Sequence, residues 1–160
     1  MFDPDSTTLS EGVIAARLLL AVGLGAVIGF EREQLARPAG LRTHMLTALA
    51  AALFTIITME IHAGVMRESA GQSTDPIRVI EAVTAGVAFL AAGAIFRSQG
   101  DVKGLTTGAG MWLAGAIGVA CGVGYGILAV MATILAAVIL VAVRWLETYA
   151  GRKQGRSDST

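Results

Sequence analysis

Five long apolar runs alternate with short polar knots along this chain, at about residues 12–30, 43–61, 79–96, 105–121 and 126–143. The hydrocarbon core of a bilayer is about 30 Å thick and takes about 20 apolar residues of helix to cross. Each run approaches or meets that length. Backbone amides in lipid have no water to pair with, so a span is either a helix or part of a closed barrel; a barrel would need alternating segments of about ten residues, and the runs do not alternate. The pattern predicts an all-α integral membrane protein of about five transmembrane helices. Residues 1–11 form a flanking segment, 12–145 the membrane domain and 146–160 a polar tail.

The polar knots give the direction of insertion. The densest, from Glu31 to Met45, reads EREQLARPAGLRTHM and carries Arg32, Arg37 and Arg42. With Arg97 and Lys103 in the third connection and Arg144, Arg152, Lys153 and Arg156 after the last span, nine basic residues share one side. The other side has two, Arg67 and Arg78. Basic residues concentrate on the cytoplasmic side, so the amino terminus is expected outside the cytoplasm and the carboxyl terminus within it. Trp145 and Tyr149 sit where an interfacial aromatic anchor belongs. The opening MFDPDSTTLSEG lacks the basic region of a signal peptide, so the first span is expected to be retained.

A short motif recurs. Gly40-Leu-Arg-Thr43 opens the second span and Gly104-Leu-Thr-Thr107 the fourth, which is compatible with a parallel repeat of two helical hairpins about an axis along the membrane normal. A threonine near each helix start can cap exposed amides. Small residues also recur every fourth position: Gly25 and Gly29 in the first span, and Gly110, Ala114, Gly118, Gly122 and Gly126 from the fourth span onward. Such stripes let helix backbones approach closely, within a protomer or between copies. Gly86 and Gly93 in the third span join these packing candidates.

Composition adds mainly exclusions. The chain has 160 residues, 54% hydrophobic and 15% charged, with zero formal net charge, so no overall field points to nucleic acid. The single cysteine, Cys121, cannot form an intrachain disulfide. No nucleophile with its base, phosphate loop, metal-ligand pair or dinucleotide fingerprint is visible. No catalytic residue, metal site or cofactor is expected. Arg17, Glu60 and Glu81 lie inside spans, where charge is costly and usually paired. Arg17 is expected to pair with Glu81 or Glu60, and Glu60 otherwise to reach the interface. The hinge side gathers Glu31, Arg32, Arg37, Arg42, Thr43, Arg97, Lys103, Thr106 and Thr107 as a candidate functional patch. His44, beside it, is expected to be a hydrogen bonder at a helix end.

Several pieces together resemble the amino-terminal membrane domain of the MgtC/SapB family of bacterial inner-membrane proteins. They are Gly29-Phe-Glu-Arg-Glu33, Arg37-Pro-Ala-Gly-Leu-Arg-Thr-His-Met45, Asp75-Pro76 with Arg78, Gly86-Val-Ala-Phe-Leu-Ala-Ala-Gly93, Gly104-Leu-Thr-Thr107, and Trp112 with Gly118. They stand in the family's order and spacing from about Arg17 to Gly122. Ala88 and Ala91 replace glycines that many members carry, and Ala82, beside Glu81, replaces a frequent glutamine, so any role of that glutamine is not carried over. The soluble carboxyl-terminal domain of longer members is not expected here, and functions attributed to it are not carried over either.

The resemblance implies a role in growth under magnesium limitation, in survival inside host phagocytes and in membrane energetics. The expectation is a non-enzymatic, virulence-associated inner-membrane protein of magnesium homeostasis that regulates a membrane partner. It would lie in the lipid bilayer as a homodimer or higher oligomer, beside another inner-membrane protein. The competing expectation is a small oligomeric transporter or channel for an ion or solute, Mg²⁺ for example.

Overall fold

A computed structural model describes residues 7–35, 37–68, 75, 77–98 and 101–157, with side chains for all of these except 67, 68, 97, 98, 101 and 147–157. Its elements are α1 (Glu11–Gln34), α2 (Leu41–Glu68), α3 (Ile77–Ala94), a small antiparallel hairpin of β1 (Phe96–Ser98) and β2 (Asp101–Lys103), α4 (Leu105–Val123) and α5 (Gly126–Ser157). All five helices are long and apolar enough to cross a membrane. The fold is therefore all-α and five-spanning. The helices outrun the apolar stretches because helical hydrogen bonding does not stop at the membrane edge: α1 continues through Glu31-Arg-Glu-Gln34, and α5 through much of the polar tail. The third helix instead ends at Ala94, two residues short of the apolar run, because Phe96 enters the hairpin. Only Gly124 and Tyr125 separate α4 from α5.

Helices α1, α2 and α4 form the inner group. Ala21 and Ile28 of α1, Ala48 and Ala52 of α2, and Ile117 and Cys121 of α4 share one buried cluster, with Ala129 and Ala136 of α5 closing it. Lipid removes the hydrophobic drive between helices, so the group is held by dispersion between close backbones, and close approach requires small residues. A Cβ at Gly25 would lie 2.8 Å from His44 O, and one at Gly122 2.6 Å from Thr55 Cβ; at Gly118 it would collide with Ala48 O. Gly25 and Gly29 of the first stripe and Gly110, Gly118 and Gly122 of the second therefore face α2 of the same protomer, while Gly126 faces Leu20 of α1. Gly86 and Gly93 do not belong with them: nothing lies within 4 Å of a Cβ at either. Helix α3 buries only Val87 and Ala91, Val87 joining Ala39 and Met111 in a second small cluster.

The recurring motif marks a glycine at each helix start instead of a threonine cap. His44 N–H donates to Gly40 O at 3.3 Å and Gly108 N–H to Gly104 O at 2.9 Å. A Cβ at Gly40 would overlap the Glu33 carboxylate, and one at Gly104, whose φ is +89°, would overlap Ala94 O. Helix α4 has no side-chain cap, and Leu41 N–H of α2 donates to Glu33 Oε2 at 3.0 Å. Thr43 lies two residues inside α2, where its carbonyl accepts the Thr47 hydroxyl. A carboxylate at a helix start also faces the positive end of the helix dipole, which Glu33 supplies from the preceding helix.

A buried polar cluster at the hinge

The last turn of α1 turns Arg32 inward, because Gly29 three residues earlier lets α2 press against this face: a Cβ at Gly29 would lie 2.8 Å from Leu41 Cα. Arg32 and the neighbouring Glu31 form an ion pair with side chains only 6% and 15% exposed. Paired burial of this kind removes both charges from water and holds their geometry fixed. The second oxygen of Glu31, Oε1, is buried and without a hydrogen bond among the described residues. Beyond Leu35 the chain turns back, Arg37 N–H donating to Arg32 O at 3.1 Å, and Ala39 tucks under Val87 and Met111.

His44, one turn into α2, is fully buried. Its Nδ1 faces Gly40 O at 2.8 Å, so Nδ1 carries the hydrogen and donates it. Nε2 then points at α4, where a Cβ at Gly110 would lie 3.0 Å away, and it has no hydrogen-bond partner among the described residues. The imidazole thus packs against a bare stretch of α4 backbone. It is the helix-end hydrogen bonder expected from the sequence, but it also fills the crossing of α1, α2 and α4.

Of the remaining patch residues, Thr107 is buried and Thr43 half-buried, while Arg37, Arg42, Lys103 and Thr106 are exposed. The Arg97 side chain lies outside the described residues. The hinge therefore has two layers: Glu31, Arg32, His44 and Thr107 inside, and a basic rim outside. Sequence reasoning missed Glu33 as the α2 cap. No local signal marked it, because Glu33 lies in the last turn of α1, eight residues before Leu41.

The opposite end corrects the expected ion pairs. Arg17 does not pair with Glu81 or Glu60; its Nη1–H donates to Gly122 O at 2.7 Å. Gly124, with φ +105°, ends α4 by donating its N–H to Ala120 O and Cys121 O, and the guanidinium lies against it. The last carbonyls of a helix carry partial negative charge, which makes them suitable partners for an arginine at a span end. Glu60 is engaged elsewhere: its carboxylate accepts the Thr8 amide and hydroxyl, each at 2.6 Å, and the Leu9 amide at 3.1 Å. Glu81 is exposed on α3.

Fold and site together define a small multi-pass membrane protein with a glycine-packed interior and a buried ion pair at its hinge. Residues 18–149 match the MgtC family, and the chain belongs to it. It is 41% identical to Protein MgtC of Brucella abortus over 120 residues, covering 75% of this chain and 47% of that protein. It is 40% identical to Protein MgtC of Salmonella typhimurium over 118 residues, covering 74% of this chain and 47% of that one. An uncharacterized protein of Haemophilus influenzae is 37% identical over 145 residues, 90% of this chain and 58% of its own length. The chain thus spans about half the length of these relatives. No solved structure gives a significant match.

Proposed function

We propose that this protein is a non-enzymatic component of the inner membrane that supports adaptation to magnesium limitation by binding and regulating another membrane protein. The observation that carries this reading is the two-layered hinge in a chain of the MgtC family: a largely buried ion pair, Glu31–Arg32, beneath an exposed rim of Arg37, Arg42 and Lys103. Arginine at such a rim can hold a partner's carboxylates or helix-end carbonyls through several bonds at once. The rim faces the cytoplasm in the orientation given by the basic-residue count, and the protein acts as a dimer or larger assembly. Supporting magnesium-limited growth is also the basis of any association with virulence.

The interior supports a binding role over transport. Contacts between α1, α2 and α4 are made by glycine and alanine against backbone, and no group of three or more His, Cys, Asp or Glu side chains able to hold a metal ion converges among the described residues. Two measurements test the reading. Expression in a bacterium lacking its own MgtC-type protein should restore growth at limiting magnesium, and a photocrosslinker in place of Arg42 should capture a membrane protein only in that condition. Purified protein in liposomes should give no Mg²⁺, K⁺ or proton flux above empty vesicles; robust selective flux would replace the regulator by a transporter.

A further inference from the structure

Away from the hinge, α2 and α3 diverge around an open cleft of about 490 Å³. Its walls include Thr47, Phe54 and Thr58 of α2 and Val83, Gly86 and Leu90 of α3. Both threonines turn their hydroxyls back onto their own helix: Thr47 donates to Thr43 O at 2.8 Å and Thr58 to Phe54 O at 2.9 Å. The walls therefore offer an occupant almost nothing but apolar surface. A polar solute entering would lose its water without replacement, at a cost of a few kcal/mol per group. The occupant must be apolar.

Length and charge narrow it further. The α2 wall from Thr47 to Thr58 runs about 16 Å at 1.5 Å per residue, roughly half of the ~30 Å hydrocarbon thickness. On α3 the wall begins at Val79, two residues into the helix. Arg78 precedes it, exposed and one turn above the lining residue Ala82 on the same face. The nearby Asp75 carboxylate is directed to the Ile77 amide at 2.9 Å, and Arg78 makes no ion pair among the described residues. One turn beyond the other end of the cleft stand Thr43 and Ala94, which are uncharged. Glu81 does not line the cleft. Among the described residues, this apolar slot one leaflet deep has an exposed cation directly beside one mouth and uncharged residues one turn beyond the other, the basic rim of the hinge standing further off, which is the charge pattern of a phospholipid reversed.

We propose that this cleft holds one acyl chain of a phospholipid from the leaflet at the amino-terminal end of the bundle, with its phosphate on Arg78. Gly86 keeps the slot open. No neighbour lies within 4 Å of its Cβ position, so a larger side chain there would fill the cleft without displacing backbone.

The test is photolabelling of the full protein in nanodiscs containing phosphatidylglycerol with a diazirine on its acyl chain. Label should concentrate on residues 47–58 and 79–90. Gly86→Leu should lower it there about fivefold, the equivalent of about 1 kcal/mol, while label on the outward face of α5 stays unchanged and reports an intact fold. Arg78→Gln should lower labelling by the phospholipid about threefold through loss of a charge-assisted contact, but leave labelling by a diazirine-tailed diacylglycerol unchanged. Equal labelling of wild type and Gly86→Leu would overturn the proposal, as would an Arg78→Gln variant that does not distinguish the two probes. If Gly86→Leu converted a dimer to monomer with lipid labelling unchanged, the cleft would belong to a second copy of the chain and the lipid assignment would be wrong.

Discussion

Helices α4 and α5 are neighbours in sequence and almost opposite in character. Helix α4 is the least apolar of the five spans and the most enclosed, with 56% of its spanning window buried, whereas α5 is the most apolar and only 17% buried. In a water-soluble protein the ranking would be reversed. Here lipid is as apolar as any side chain, so hydropathy marks the surface that meets acyl chains, and small size marks the surface that meets protein. Helix α5 accordingly turns Ile127, Leu128, Met131, Ile134, Leu135 and Val138 outward and touches its neighbours through Ala129, Thr133 and Ala136. Helix α4 places Gly110, Ala114, Gly118 and Gly122 against the core. The comparison makes ordered predictions, because the two helices should respond to the same substitution by very different amounts.

Gly118→Leu should have the largest effect. Even a Cβ there would overlap Ala48 O and lie 2.7 Å from Ala51 Cβ, so α2 and α4 must separate along their length. Overpacking commonly costs about 1–3 kcal/mol, and neither the Ala48 backbone nor the Ala51 methyl can turn aside, so the upper end of that range or complete failure to accumulate is expected. Leu135→Ala on the exposed face of α5 should shift thermal stability in detergent by less than about 0.5 kcal/mol. Comparable losses for the two variants would break the distinction between protein-facing and lipid-facing helices.

Arg17→Met should come next. It removes the hydrogen bond to Gly122 O at the end of α4 while keeping an apolar chain of similar length. Polar contacts between membrane helices average about 0.6 kcal/mol and reach about 1.7 kcal/mol, and a loss near 1 kcal/mol is expected for this charged donor. A Glu81→Gln variant, which touches no partner of Arg17, should leave stability within about 0.5 kcal/mol of wild type, as surface substitutions generally do. A larger loss in Glu81→Gln than in Arg17→Met would restore the ion pair between helices that the sequence alone indicated.

Gly110→Ala probes the same helix more gently. Its new methyl would meet His44 Nε2 at 3.0 Å, and the ring is held by its bond to Gly40 O, so about 1 kcal/mol should be lost. The double variant with His44→Ala should recover that increment, because the ring is what the methyl meets. Additive losses in the cycle would mean that Gly110 acts through some neighbour other than the imidazole.

The spans and the two glycine stripes were legible in the sequence because side-chain size and apolar length directly encode helix contact and lipid contact in a membrane. Gly86 and Gly93 were read with the packing glycines, yet nothing in the same protomer lies within 4 Å of a Cβ at either, and a glycine is the same letter whether it admits a neighbouring backbone or leaves a gap. Arg17 was given the wrong partner for a related reason. Its acceptor is a main-chain carbonyl at the end of α4, presented by the left-handed turn at Gly124, and pairing rules that compare charged side chains do not include such groups. The burial of Arg32 was likewise hidden, since it depends on how closely Gly29 brings α2 toward the last turn of α1. Basic residues at the hinge were visible as a set, but the division into a buried pair and an exposed rim exists only in three dimensions.

That division gives the smallest structural effect and the sharpest functional one. Arg37 and Arg42 are exposed and make no hydrogen bond through their side chains among the described residues, so Lys at either place should leave expression, insertion and thermal stability within about 0.5 kcal/mol of wild type. Insertion reads only positive charge, and lysine supplies it. A partner held by the planar guanidinium fork would lose its second hydrogen bond on replacement by an ammonium. Growth support at limiting magnesium should therefore fall in Arg42→Lys despite unchanged protein levels, and fall further in the Arg37→Lys, Arg42→Lys double variant. Arg32→Lys should instead lower stability, because its fork is buried against Glu31. Full growth support by the double variant would leave the rim as a topology signal and confine any function of the hinge to its buried layer.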